Sequence, residues 1–163
     1  MQLSPIGVIH TPHRQATGTP IQSVFASEVE GTLDLLPEYA AGLKDLEGFE
    51  RIWLFYWFDR AAEARLEVTP YLDTRPHGIF ATRSPCRPNP IGLSCVQLRR
   101  IEGNLVHILG ADMLDGTPLL DIKPYVPAFD AFSPERIGWF ATVKNASTTA
   151  DARFELPKQA PRP

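Results

Sequence analysis

The run RIWLFYWF, Arg51–Phe58, constrains the fold more than any other stretch of the chain. It offers no polar face, it is too short for a buried helix, and its aromatic make-up suits a pleated strand. A fully buried central strand is the expected form. Around it the sequence supplies further short strands, at Leu3–His10, Glu30–Leu36, Leu66–Tyr71, Gly78–Thr82, Gly92–Arg100 and Leu105–Ala111. The triplet Glu102–Asn104 reads as a hairpin turn between the last two. Leu119–Asp130 is extended and broken by Pro124 and Pro127. Pro37–Gly48 is expected to be a short helix: Pro37 suits a first turn, Tyr39, Leu43 and Leu46 fall on one face, and Gly48 is a stop. Glu135–Asn145 is the other candidate helix, and the tail LPKQAPRP is expected to fray.

Many short strands with one clear helix predict a mostly β protein, antiparallel and closed as a barrel. A chain of 163 residues suits one domain. There is no P-loop, no Gly-rich dinucleotide fingerprint and no alternation of strands with helices, which argues against a doubly wound nucleotide fold. No apolar run approaches a membrane span, and the N-terminus lacks the pattern of a signal peptide, so a cytoplasmic protein is expected. Cys86 and Cys95 form no C-x-x-C pair and read as reduced thiols. His10 and His13 have no carboxylate or cysteine beside them in sequence, so no metal site is expected.

The net charge of −3 does not suggest a general nucleic-acid binder, but the charge is unevenly spread. From Thr74 to Ile101 there are five arginines and no Asp or Glu, so a basic segment sits on an acidic body. Inside it lies FATRSPCRPNPIGLS, Phe80–Ser94. Pro85, Pro88 and Pro90 restrict its backbone, so it loses little entropy on binding. Arg83 and Arg87, held on that frame, suit a carboxylate or phosphate; pairing with the acidic body is the structural alternative. Asn89 offers an amide that donates and accepts.

A second constellation is ADMLDGTPLLDIKPY, Ala111–Tyr125. DGTP is a turn by residue type, and Asp115 there could be making an Asx turn. Asp112, Asp115, Asp121, Lys123 and Tyr125 crowd ionisable groups into a short stretch that, converging in a pocket, could move protons or bind a cation.

The blocks IGVIHTP, LEGFERIWLFYWF, GIFATRSPCRPNPIGLS and DMLDGTPLLDIKPYVP resemble, in order and spacing, the signatures of the TsaA-like family, also called TrmO. The resemblance covers about Leu3–Phe132. It implies a compact single-sheeted β-barrel domain over residues 1–133, a C-terminal extension over 134–163, and a homodimer. It also implies an S-adenosylmethionine-dependent methyltransferase acting on tRNA, at the N6 of threonylcarbamoyladenosine 37 beside the anticodon. By the same resemblance the cofactor contacts fall on Pro20, Ile21, Gln22, Asp59, Arg60, Arg83, Leu93, Leu114, Asp115, Gly116 and Thr117. Backbone groups of the Gly116 turn are expected to meet the adenine or ribose. Asp115 and Tyr125 are candidates for assisting loss of the acceptor proton, and Arg87, Asn89 and Lys123 for holding substrate. A related methyltransferase with another RNA or small-molecule acceptor, or a non-catalytic protein that binds S-adenosylmethionine or RNA, are the alternative readings.

Overall fold

The computed structural model describes residues 2–144 and 147–154. Its strands are β1 (Gly7–His10), β2 (Glu30–Leu35), β3 (Arg51–Trp57), β4 (Glu67–Val68), β5 (His77–Gly78), β6 (Ile91–Glu102), β7 (Leu105–Leu109) and β8 (Thr117–Pro124). Six of them close a barrel in the order β1-β2-β7-β6-β3-β8, and every neighbouring pair is antiparallel. Closure satisfies both edges of every strand and removes the exposed edge that a small open sheet would present.

The sequence dictates this through a period of two. Along β3, Ile52, Leu54 and Tyr56 are buried while Trp53, Phe55 and Trp57 are half-buried. β3 is therefore central, between β6 and β8, but it is not buried on both faces as expected. A barrel without an outer helical layer covers only the inward residues. Ile9, Leu33, Val96, Val106, Ile108 and Leu119 complete the same core. The turn after Glu102 joins β6 to β7 as expected, with Gly103 at φ 65°.

The structure departs from the expected helices. Pro37–Leu43 and Leu46–Gly48 are 3-10 turns, separated by Asp45 at φ 65°, and not one α-helix. Leu43 and Leu46 reach the core but Tyr39 is 40% exposed, so the expected apolar face is not formed. The segment Glu135–Asn145 contains only a 3-10 turn, Gly138–Thr142; Asn145 itself lies outside the described residues. One unexpected α-helical turn, α1 (Pro127–Asp130), follows Pro124. Two expected strands are nearly absent: Leu66–Tyr71 shrinks to β4, and Gly78–Thr82 to the end of β5 and a 3-10 turn, Ile79–Ala81. Their apolar residues serve a second, smaller core of Val68, Ile79, Cys86 and Phe154 under the long β5–β6 connection. Phe154 comes from the C-terminal segment, which returns to the barrel through backbone bonds between Thr19 and Ala150 (2.8 Å) and between Ile21 and Thr148 (3.0 Å). The LPKQAPRP tail lies outside the described residues.

One end of the barrel is polar inside. There Tyr56 on β3 pairs with Gly92 on β6, and the missing side chain at Gly92 makes room for the tyrosine ring. A Cβ on Gly92 would collide with that ring. Gly92→Ala is therefore expected to destabilise the fold by about 1–3 kcal/mol, the usual cost of overpacking. Urea denaturation checks it; an unchanged midpoint would contradict this packing.

Candidate functional site

The polar end opens into a cavity of about 730 Å³. Three connections frame it: the loop after β1, the end of β3 with the proline-rich loop before β6, and the turn between β7 and β8. Its chemistry centres on Asp112, just beyond β7. Ser94 Oγ donates to Asp112 Oδ1 at 2.6 Å, and Tyr56 Oη lies 3.0 Å from Ser94 Oγ. Since the serine proton is directed at the carboxylate, the tyrosine is the donor to serine, and the chain runs Tyr56 to Ser94 to Asp112. Burial, and then the charge of Asp112, hold the Tyr56 phenol far above its ordinary pKa, so it stays a neutral donor. Burial pushes the Asp112 carboxyl up to about 6, against the opposing pull of Ser94, Arg83 and the Ser23 amide. Among the described residues no cation lies within salt-bridge distance of Asp112.

Arginines line the same cavity: Arg83, Arg60, Arg14 and Arg87, together with Asp59. Arg83 Nη1 donates to Gln22 Oε1 at 2.6 Å, which joins the proline-rich loop to the loop after β1. Arg60 Nη2 donates to the Asp115 carbonyl at 2.8 Å, so β3 is tied to the Asp-Gly-Thr turn. Arg87 Nη1 donates to the carbonyls of Ile79 (3.1 Å) and Thr82 (2.8 Å), bracing the loop from within.

The cavity gathers Pro20, Ile21, Gln22, Asp59, Arg60, Arg83, Arg87, Leu93, Leu114 and Thr117 from distant parts of the sequence. Asp115 and Gly116 are not on its lining. The Asp115 carboxylate turns toward the loop after β1, where it accepts from the Thr11 amide (3.1 Å), pairs with Arg14 and lies 3.4 Å from His10 Nδ1. Burial would raise its pKa, but these three partners outweigh burial and hold it below the ordinary value. Such a carboxylate is a poor proton acceptor at neutral pH. The amides of Asp115 and Gly116 donate to His13 O (2.8 Å) and Ile9 O (2.9 Å). These two amides of the Gly116 turn are thus spent inside the protein.

Three other expected residues lie elsewhere. Asn89 is exposed on the loop, off the cavity lining. Lys123 and Tyr125 sit toward the far end of β8, which enters the cavity at Thr117. At about 3.3 Å per residue, the stretch from Thr117 to Tyr125 spans roughly 25 Å. Lys123 there pairs with Asp121 at 2.7 Å, and Tyr125 packs on Trp53 at 5.8 Å. The lining also includes groups that sequence reasoning did not assign to the site, notably Tyr56, Phe58, Phe154 and Ala150. His10 and His13, the H-x-x-H pair, bond Asp115 and the Ala111 carbonyl (3.1 Å) respectively.

A small closed β-barrel carrying a charged ligand-sized cavity at one rim is the class that fold and site define. The model of the tRNA-methyltransferase O N-terminal domain matches residues 8–131, and the chain belongs to that family. It is 50% identical over 149 residues to a probable S-adenosyl-L-methionine-binding protein of Pyrococcus abyssi, covering 91% of this chain and 80% of the relative. It is 41% identical over 130 residues to an S-adenosyl-L-methionine-binding protein of Archaeoglobus fulgidus, covering 80% and 93%. The crystal structure of TrmO from Pseudomonas aeruginosa is similar with a TM-score of 0.72 at 38% identity, covering 85% of this chain and 62% of that one. The chain thus spans about three-fifths of that structure.

Proposed function

We propose that the cavity binds S-adenosylmethionine and that the protein methylates tRNA, at N6 of threonylcarbamoyladenosine 37. The observation that carries the reading is that the buried Asp112 carboxylate, without a cation in salt-bridge distance among the described residues, lines one cavity with Arg14, Arg60, Arg83 and Arg87. A ligand with a cationic part and a carboxylate satisfies both sides at once, and a cavity of about 730 Å³ lies within the usual range for a nucleoside-sized cofactor. Family membership and the names of the relatives support the same ligand.

In this reading Asp112 holds the cationic part of the cofactor and Arg83 its carboxylate. Apolar walls from Phe58, Leu93 and Leu114 exclude water from the ligand. When bound, S-adenosylmethionine supplies a sulfonium methyl that passes to the acceptor nitrogen, leaving a thioether while that nitrogen gives up its proton. Asp115, held low and turned toward the loop after β1, and Tyr125, remote just past β8, are poorly placed to take that proton.

Arg83→Ala is expected to weaken S-adenosylmethionine binding about tenfold, the effect of losing one exposed charge-assisted contact. Isothermal calorimetry checks it. An unchanged affinity would take Arg83 out of the cofactor site.

A further inference from the structure

A second cavity, of about 610 Å³, adjoins the first. Gln22 and Arg83, joined by a 2.6 Å hydrogen bond, line both, as do Ile21, Thr82, Pro85 and Phe154. We propose that this second cavity receives an unstacked purine of an RNA strand and presents it to the first cavity across the Gln22–Arg83 pair. The inference rests on the first cavity being the cofactor site.

The walls of the second cavity are aromatic and fixed in place. The Trp139 ring stacks on His77 at 4.8 Å with 20° between planes, and its Nε1 donates to Ala81 O at 2.8 Å. His77 Nε2 in turn lies 2.9 Å from Asp73 Oδ2. Phe140 meets Trp139 edge-on at 5.9 Å. Phe80, on the lining, is 78% exposed, and the Arg87 guanidinium sits 5.9 Å from its ring centre. Aromatic faces already ordered by the protein bind a base with little entropic cost.

Charge selects the class of occupant. The lining holds Arg83 and, among the described residues, no Asp or Glu. Arg87 lies beside it, and the whole Thr74–Ile101 segment carries arginines without acids. A base pocket with guanidiniums at its margin suits a nucleotide, whose phosphates lie beside a flat apolar ring. Ser84, also on the lining, has a buried hydroxyl without a partner among the described residues, a polar group that the protein itself leaves unsatisfied. An enzyme acting on a base inside a folded RNA must take that base out of its stack and hold it next to the reacting group. Two adjoining cavities with a common wall that includes the Gln22–Arg83 pair meet that need.

The test uses the full chain and an RNA hairpin with 2-aminopurine in its loop. Phe80→Ala and Trp139→Ala are expected to raise the hairpin dissociation constant about tenfold each, the effect of losing one stacked base. The affinity for S-adenosylmethionine, measured by calorimetry, should stay unchanged, since neither residue lines the first cavity. Thermal unfolding of each variant shows that the barrel is intact. Equal hairpin affinity in wild type and both variants, or no binding by the wild type, would overturn the proposal. So would a dimer that Phe80→Ala converts to monomer without change in RNA affinity, because the surface would then serve a second copy of the chain. Failure of the wild type to bind S-adenosylmethionine would instead sink the reading of the first cavity, and the RNA titration would still be readable.

Discussion

Asp112→Asn is expected to weaken S-adenosylmethionine binding by about tenfold to a hundredfold near neutral pH, the range for a lost charge-assisted partner. The wild type should show a pH dependence that the variant lacks. Burial raises the Asp112 pKa to about 6, while a bound cation favours the ionised form and lowers it. Binding therefore releases a proton below about pH 6. Affinity should be flat above that value and fall as the pH drops through it. Asparagine carries no proton to release, so its profile should stay flat across the window.

The same substitution should stabilise the protein in the absence of cofactor. A carboxyl whose folded pKa is raised costs stability where it is ionised in both folded and unfolded states. That cost is present in full above about pH 6 and is relieved as the pH falls from about 6 toward the unfolded value near 4. Asp112→Asn should gain about 1–3 kcal/mol at neutral pH and roughly half of that at about pH 5, between the two pKa values. A more stable variant that binds cofactor worse is the signature of a charge kept for function. Calorimetry and urea denaturation at about pH 5 and about pH 7.5 check both arms. Loss of stability at neutral pH together with unchanged affinity would show that Asp112 is an ordinary structural residue.

The second large effect is at Leu54, whose side chain is fully buried on the inward face of β3. Leu54→Ala is expected to cost about 2–5 kcal/mol, because the strands around it cannot collapse far without breaking the closed hydrogen-bond ring. Phe55 is larger but points outward and is half-buried beside Lys123, 5.8 Å from its ring centre. Phe55→Ala should therefore cost less than half as much. Equilibrium denaturation of the pair reads the register of β3 directly. A larger loss at Phe55 would mean that the strand faces the other way.

That contrast also shows how far the sequence could be followed. β2, β3, β6 and β7 were legible closely in the sequence, β2 from its alternation and β3 from its apolar, aromatic make-up, although the period of two along β3 was not. The hairpin after Glu102 was equally plain, since its turn residues are local. The proline-rich loop was legible as a rigid arginine carrier, and Arg83 and Arg87 both reach the cavity. What failed depended on contacts across the chain. Residues 37–48 carry helical spacing, yet Asp45 adopts positive φ and the segment breaks into 3-10 turns that place Leu43 and Leu46 on the barrel. The orientation of Asp115 was invisible in DMLDGTP, because Thr11, Arg14 and His10, about a hundred residues away in the chain, turn its carboxylate aside from the cavity. Tyr125 seemed close to the turn because it is near in sequence, but an extended strand converts each residue into distance. The return of residues 147–154 onto the loop after β1 left no local trace, and it brings Ala150 and Phe154 into the site.

On the proposed function, this barrel transfers a methyl group from S-adenosylmethionine to a modified adenosine of tRNA. The measurement that tests it most directly is transfer of a labelled methyl group from S-adenosylmethionine to tRNA with and without the threonylcarbamoyl group, read by nucleoside mass spectrometry. Label on N6 of threonylcarbamoyladenosine alone, lost or strongly reduced in Asp112→Asn, is the predicted result. Cofactor binding with no label on either tRNA would contradict the claim and leave a binding protein built on the same barrel.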